Sequence, residues 1–419
     1  MRNRGFLGLQ SFIHWQGCAL LAALFSAACS GVVGPHMDEG AAGSFVMGGA
    51  FGTAGGPATG GAFFCTGGGP PVGGAHSGGT SASGGTTGTR VGSTVDTGGA
   101  SCVSANRSNG WMRCSSPIAP SGREAQMVYD SARGVFVLFG GFDGKYGLAD
   151  TWEWDGAQWT LRSPSVSPPA RVGMALAYDS ARHVTVMFGG YSGEQMLSDT
   201  WEWDGSEWVE RFPQAAPSAR SGASAVFDAD NNIVLLFGGP QDPAPMGDLW
   251  AWDGSNWSRR YSANGPRVRA SASTAYDSVR HRMVLFGGLS ELLPEYSDAG
   301  VWTGNGASFY ADTWEWNGAN WNQLVVEGPS GRYLAGTAFD IARGKTVIFG
   351  GYSGMSAFDG TWEWDGSSWS NPELPVQPPN RAAHAQAYDT ARNVVVLFGG
   401  GVTSDGTQFL SDTWEYKGQ

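Results

Sequence analysis

Residues 171–208 read RVGMALAYDSARHVTVMFGGYSGEQMLSDTWEWDGSEW, and the architecture follows from them. Arg171 to Asp179 is a run of mostly small or apolar residues ending in Tyr178-Asp179, the shape of a first strand, A. Ser180, Ala181 and Arg182 make a turn. His183 to Phe188 is an apolar strand, B, stopped by Gly189-Gly190. A loop leads to strand C, Asp199-Thr200-Trp201-Glu202-Trp203, in which the two tryptophans are two apart and share a face. Asp204-Gly205 is a hairpin signal, because both residues tolerate positive φ, and strand D begins near Trp208.

The unit recurs six times between residues 120 and 419. Its double glycines fall at Gly140/Gly141, Gly189/Gly190, Gly238/Gly239, Gly287/Gly288, Gly350/Gly351 and Gly399/Gly400, spaced 49, 49, 49, 63 and 49 residues apart. Four antiparallel strands repeated at a period near 50 make the blades of a β-propeller. Side-chain sizes agree with that geometry. Strand A carries small residues such as Gly173, Ala175, Gly222, Ser224, Ser271, Ser273, Ala383 and Ala385, as the crowded axis requires. Strand B is continuously apolar, as in Ile233–Phe237, which suits a strand covered on both faces. The recurring tryptophans read as wedges filling the widening gaps between blades.

The last copy ends at Trp414-Glu415-Tyr416-Lys417-Gly418-Gln419, with no room for strand D. At the other end Trp111 precedes Arg123 by 12 residues, the spacing at which Trp159, Trp208, Trp257 and Trp369 precede their following arginines. Residues near 108–115 are therefore expected to complete the sixth blade and remove its open edge. The expected fold is all-β, a six-bladed propeller over 102–419.

The chain is acidic, 25 Lys and Arg against 37 Asp and Glu, a net charge of −12. That excludes nucleic acid, which needs a basic stripe, and electrostatic docking on an anionic membrane. Residues 1–28 read as an export signal: Arg2 and Arg4, an apolar Ala19–Phe25, then Ser26-Ala27-Ala28 before Cys29. Two processings fit, lipidation of Cys29 or plain cleavage after Ala28. The expected location is exported, as an outer-membrane lipoprotein or a secreted protein, with a lipid anchor as the only membrane contact. Residues 29–101 are Gly-rich and read as a disordered tether, whose coil would span on the order of 45 Å. Of the five cysteines, Cys18 lies in the signal, Cys102 and Cys114 suit a disulfide in an exported chain, and Cys65 has no evident partner.

Recurring Phe-Gly-Gly and Trp-x-Trp at this spacing resembles the kelch-repeat family, including bacterial members related to the central propeller of galactose oxidase. The resemblance covers residues 108–419 and implies a binding module that meets partners with the face carrying the D–A and B–C loops. That face carries Arg123, Arg171, Arg220, Arg269, Arg332 and Arg381. As a ring they would accept an acidic protein or acidic carbohydrate, since the guanidinium fork matches carboxylates. The alternative is structural pairing with Asp150, Asp199, Asp248, Asp312 and Asp412 on the same face; blade five has Gly360 at that place and Asp359 beside it. Arg123 lies seven residues before its Asp where the others lie eight, an offset that reverses a side chain unless the backbone absorbs it. The fourth B–C loop is the longest and brings Trp302 and Tyr310, aromatics suited to a ligand or to capping the channel.

No catalytic set emerges. The propeller holds His183, His281 and His384, which form no metal triad, and no nucleophile–base–acid arrangement accompanies them. The expected protein is a monomeric, cofactor-free, non-enzymatic binding or scaffold module of the cell envelope. The alternatives are a carbohydrate-active oxidoreductase or lyase on a propeller scaffold, and a structural envelope protein. The expected ligand contacts are Arg171, Arg220, Arg269, Arg332, Arg381, Trp302 and Tyr310.

Overall fold

The computed structural model describes Cys102 and residues 109–239, 247–290, 309–354, 356–402 and 408–418. The signal, the Gly-rich segment, Cys29, Cys65 and Trp302 lie outside the described residues.

Six four-stranded antiparallel sheets follow one another along the chain. Blade two is the type unit: Ala175–Asp179, Val184–Tyr191, Met196–Trp203 and Trp208–Arg211, paired in that order. Blade six takes its outer strand from the start of the domain, Gly110–Cys114, which pairs antiparallel with Thr413–Lys417. Trp111 lies opposite Tyr416 and Cys114 opposite Thr413. The ring is therefore closed by hydrogen bonds between its two ends, which removes the free edge. A disulfide joins Cys102 to Cys114, with their Cα atoms 5.2 Å apart, and ties the closing strand to the segment before it.

Each outer-strand tryptophan reaches back into the preceding blade. Trp208 Nε1 donates to Thr151 Oγ1, Trp257 to Thr200 and Trp369 to Thr313, each at 2.9 Å. Trp111 makes the same 2.9 Å bond to Thr361, and Trp159 continues the series to Thr413 at 3.0 Å. Trp111 thus does the work of a sixth outer-strand tryptophan, as its spacing from Arg123 implied. In blades two, three and five the second tryptophan of the Trp-x-Trp pair also bonds across a blade boundary, Trp203 to Glu153 at 3.2 Å, Trp252 to Glu202 at 3.0 Å and Trp364 to Glu315 at 3.2 Å. Strand B supplies the core: Val137, Leu138 and Phe139 in blade one and Val395 to Phe398 in blade six are fully buried.

The C–D turns differ in detail from their sequence signature. Only the glycine takes positive φ, as at Gly205 (99°). Asp204 uses its carboxylate, accepting from the backbone of Ser206 and Glu207 at 2.8 and 2.9 Å. The aspartate is selected here for a local hydrogen bond rather than for left-handed backbone.

Candidate functional site

The arginine ring exists, but it points inward. Arg171, Arg220, Arg269 and Arg381 are essentially inaccessible, and Arg123 and Arg332 nearly so. In blade two, Arg171 Nη1 and Nη2 each meet an oxygen of Asp199 at 2.7 Å, while Nη1 also donates to the Gly189 carbonyl at 3.0 Å and Nε to that of Pro169 at 3.1 Å. The bidentate fork recurs as Arg220–Asp248, Arg269–Asp312 and Arg381–Asp412. Trp201 Nε1 holds the same carboxylate from the other side, at 2.8 Å from Asp199. Every pair lies within one blade and ties the start of strand A to the start of strand C and the Gly-Gly bend. The expectation that Arg171, Arg220, Arg269 and Arg381 form an anion-accepting surface is therefore replaced. Their donors are committed to internal carboxylates and carbonyls.

Charge follows the geometry. Burial pushes the carboxyls of Asp199, Asp248, Asp312 and Asp412 upward, but the hydrogen bond and charge of the paired arginine outweigh it and hold each below its ordinary value. The offset at Arg123 is absorbed by a β-bulge between Glu124 and Gln126, so its Nη1 still reaches Asp150 at 2.6 Å.

Arg332 departs from the pattern. Its Nε donates to Ser330 O (3.0 Å), Nη1 to Gly350 O (2.9 Å) and Nη2 to Ser330 Oγ (3.2 Å), and the Phe358 ring lies 4.0 Å from the guanidinium. No carboxylate among the described residues meets it, and burial lowers its pKa to about 10. Asp359 is exposed and makes no ion pair among the described residues. In blade four Tyr310 stacks over Arg269 at 4.0 Å, so it packs on the ring instead of standing free. Next to them Phe309 stacks on Tyr333 at 5.6 Å and Tyr333 meets Tyr352 edge-on at 5.8 Å, a cluster no other blade reproduces among the described residues.

On the opposite face lies a second set of arginines that the sequence reading treated only as turns. In the Asp-x-x-Arg turns Arg133, Arg182, Arg280, Arg343 and Arg392 pair both with their own Asp and with the glutamate between the two tryptophans, for example Arg280 with Asp277 at 2.7 Å and Glu315 at 2.6 Å. Blade three carries Asn231 for the arginine and Ala251 for the glutamate. Asp228 stays buried there, held by the Asn231 amide at 2.9 Å in place of a guanidinium. That pairing across two strands was a usable signal in the sequence.

Along the axis the inner strands line a cavity of about 310 Å³. Its rim is a chain of backbone bonds passing from blade to blade: Gly222 N to Gly173 O, Ser271 N to Gly222 O, Leu334 N to Ser271 O, Ala383 N to Leu334 O and Ala125 N to Ala383 O, at 2.7–3.1 Å. Gly173, Gly222, Ser271, Leu334 and Ala383 all take left-handed φ to make them. Blade one has Glu124 at this level. It is 3% exposed, its Oε2 has no hydrogen-bond partner among the described residues, and burial raises its pKa to about 7. His384 is also buried, which together with the charge of Arg381 lowers its pKa to about 3 and keeps the ring neutral. His183, His281 and His384 sit on different blades and do not come together.

Residues 83–258 match the family model of the KLHDC2/KLHL20/DRC7 Kelch-repeats domain, a stretch that ends in the outer strand of blade three. The match and the six blades together support a kelch-repeat β-propeller. Kelch propellers are in general binding modules for proteins. No curated protein matches the chain.

Proposed function

We propose that this propeller is a non-catalytic protein-binding scaffold that meets its partner with the D–A/B–C face, over blades four to six. The observation that carries this reading is where the repeat departs from itself. The longest B–C loop, the Phe309–Tyr333–Tyr352 cluster and the substitution of Gly360 for aspartate all fall on this face of blades four and five. The other face repeats the same short Asp-Gly turns, with Asn317-Gly318 in blade four, and its main departure is the paired change to Asn231 and Ala251 in blade three. Repeat units conserve what holds them together, and singular features on one face suit recognition. The reading adds a location in the cell envelope, supported by the export-signal pattern of residues 1–28 and by Cys29 as a lipidation candidate, with the Gly-rich segment as a tether. A surface carbohydrate is the competing ligand, favoured by the aromatic residues of the fourth loop.

The test is photocrosslinking in cells with the full chain. A photoreactive residue at Ser356 or Asn380, exposed on the proposed face, is compared with one at Ser367 in the opposite turn of blade five. A discrete protein adduct from the first two positions and none from Ser367 supports the reading. Equal labelling from both faces, or a glycan adduct, refutes it.

A further inference from the structure

Blade five keeps the donors of the ion pair and lacks the acceptor. In the other blades an aspartate at the start of strand C takes two kinds of donor: the arginine, as a fork in blades two, three, four and six and through Nη1 alone in blade one, and the indole N–H of the tryptophan two residues on, at 2.6–2.8 Å. Gly360 stands at that place in blade five. Its carbonyl accepts from Gly350 N at 3.2 Å, as the Asp248, Asp312 and Asp412 carbonyls accept from Gly238, Gly287 and Gly399 at 3.2–3.3 Å. The backbone is thus in register, and only the side chain is missing. A Cβ built on Gly360 would lie 3.4 Å from Trp362 Nε1 and 3.9 Å from Asn371 Nδ2. Trp362 Nε1 finds no acceptor among the described residues. Arg332 has given three of its N–H bonds to Ser330 and Gly350, leaving one on each terminal nitrogen, the two that form the fork elsewhere.

In blade three Asn231 and Ala251 replace both members of the Arg–Glu pair, and the Asp228 that remains is answered by the Asn231 amide. Blade five lost the anion alone and kept a buried cation, an arrangement that costs stability unless an anion answers it. The position is reachable: the corresponding aspartates are up to 29% exposed, and Gly360, Trp362 and Asn371 are all partly or fully exposed.

We propose that blade five binds a carboxylate from outside the chain, seated between Arg332 and Trp362 where the other blades place their aspartate. The ligand is a small free carboxylate or the Asp or Glu side chain of a bound protein; both present the same two oxygens to the same donors. The site stands on the blade's own geometry and holds whether or not the partner-binding reading does.

Saturation-transfer NMR on the full chain tests it, with acetate and capped aspartate (N-acetyl-aspartate methylamide) as probes. The wild type gives saturable transfer to acetate, with affinity on the order of millimolar for so small a ligand. Gly360→Asp supplies the missing carboxylate internally; its backbone is not left-handed, so the residue fits. That variant melts several degrees higher and loses acetate transfer at least ~5-fold. Trp362→Phe, which keeps the ring and removes the donor, weakens acetate several-fold and guards against a Gly360→Asp chain that fails to fold. Stronger transfer to capped aspartate than to acetate assigns the site to a partner's side chain; the reverse assigns it to a free carboxylate. No transfer in the wild type, or equal transfer in wild type and both variants, overturns the proposal.

Discussion

Replacing Glu124 with Gln should make the propeller more stable in base and leave it unchanged in acid. The carboxyl lies at the axial rim, 3% exposed, with no cation or hydrogen bond among the described residues answering its Oε2. Burial raises its pKa from 4.5 to about 7. A group whose folded pKa lies above its unfolded value contributes full stability below the unfolded pKa and loses it as pH rises through the folded one. The window is therefore pH 4.5 to 7. A shift of that size corresponds to roughly 3 kcal/mol, at about 1.4 kcal/mol per pH unit. With unfolding entropy near ~2.1 cal/mol/K per residue, that is about 5 °C in Tm for a propeller of this size. The assay is the thermal midpoint of wild type and Glu124→Gln from pH 4 to 8. His384 acts in the opposite sense, since its pKa is depressed: its stability contribution is present above about 6.5 and falls away toward pH 3. Because both chains carry His384, it cancels in the difference between them. The two curves should coincide near pH 4, diverge between pH 4.5 and 7, and run at a constant separation above pH 7. Parallel curves across the range would mean the carboxylate is solvated through the axial cavity and would refute the burial argument.

Other predictions concern the closure and the ion pairs. Trp111→Ala should cost about 3–5 kcal/mol in urea unfolding, the cost of deleting a buried indole, because Trp111 packs on Phe349 and Tyr416 and bonds to Thr361; a loss below 1 kcal/mol would mean the closing strand is dispensable. Removing the Cys102–Cys114 bridge by Cys102→Ser should cost about 2–3 kcal/mol for so short a loop, read as a lower midpoint in the variant and no change on adding reductant to it. Asp199, Asp248, Asp312 and Asp412 have depressed pKa values, so their stabilisation is present above the ordinary carboxylate range and lost as pH falls through the lower folded values. Unfolding below pH 4 should accordingly take up protons, and Asp199→Asn should reduce the uptake.

The blades were legible because each carries the same punctuation, Phe-Gly-Gly and Asp-Thr-Trp-Glu-Trp, at a fixed period. Closure was legible from one distance, Trp111 to Arg123. The arginine ring was legible as a ring, yet not as buried. Whether a guanidinium faces solvent or its own blade depends on the Gly-Gly bend, which delivers one carbonyl and sets the start of strand C with its aspartate within reach, and no residue type encodes that bend's direction. Glu124 went unremarked because its burial comes from a bulge that only the strand pairing reveals. The Arg280–Glu315 type of pair joins residues on different strands, and only the joint loss of both partners in blade three betrays it in the sequence. Tyr310 looked like a free loop aromatic, and the Arg269 guanidinium beneath it explains its placement.

The distinction between a committed ring and one exceptional blade comes down to two melts. Arg171→Met removes the partner of a carboxylate that stays behind, and should cost about 3–5 kcal/mol. Arg332→Met removes a buried cation that no carboxylate among the described residues answers, and should cost less than about 1 kcal/mol, since lost carbonyl bonds are offset by relief of the desolvated charge. Equal losses in the two variants would contradict the reading that blade five alone is left with an unanswered arginine.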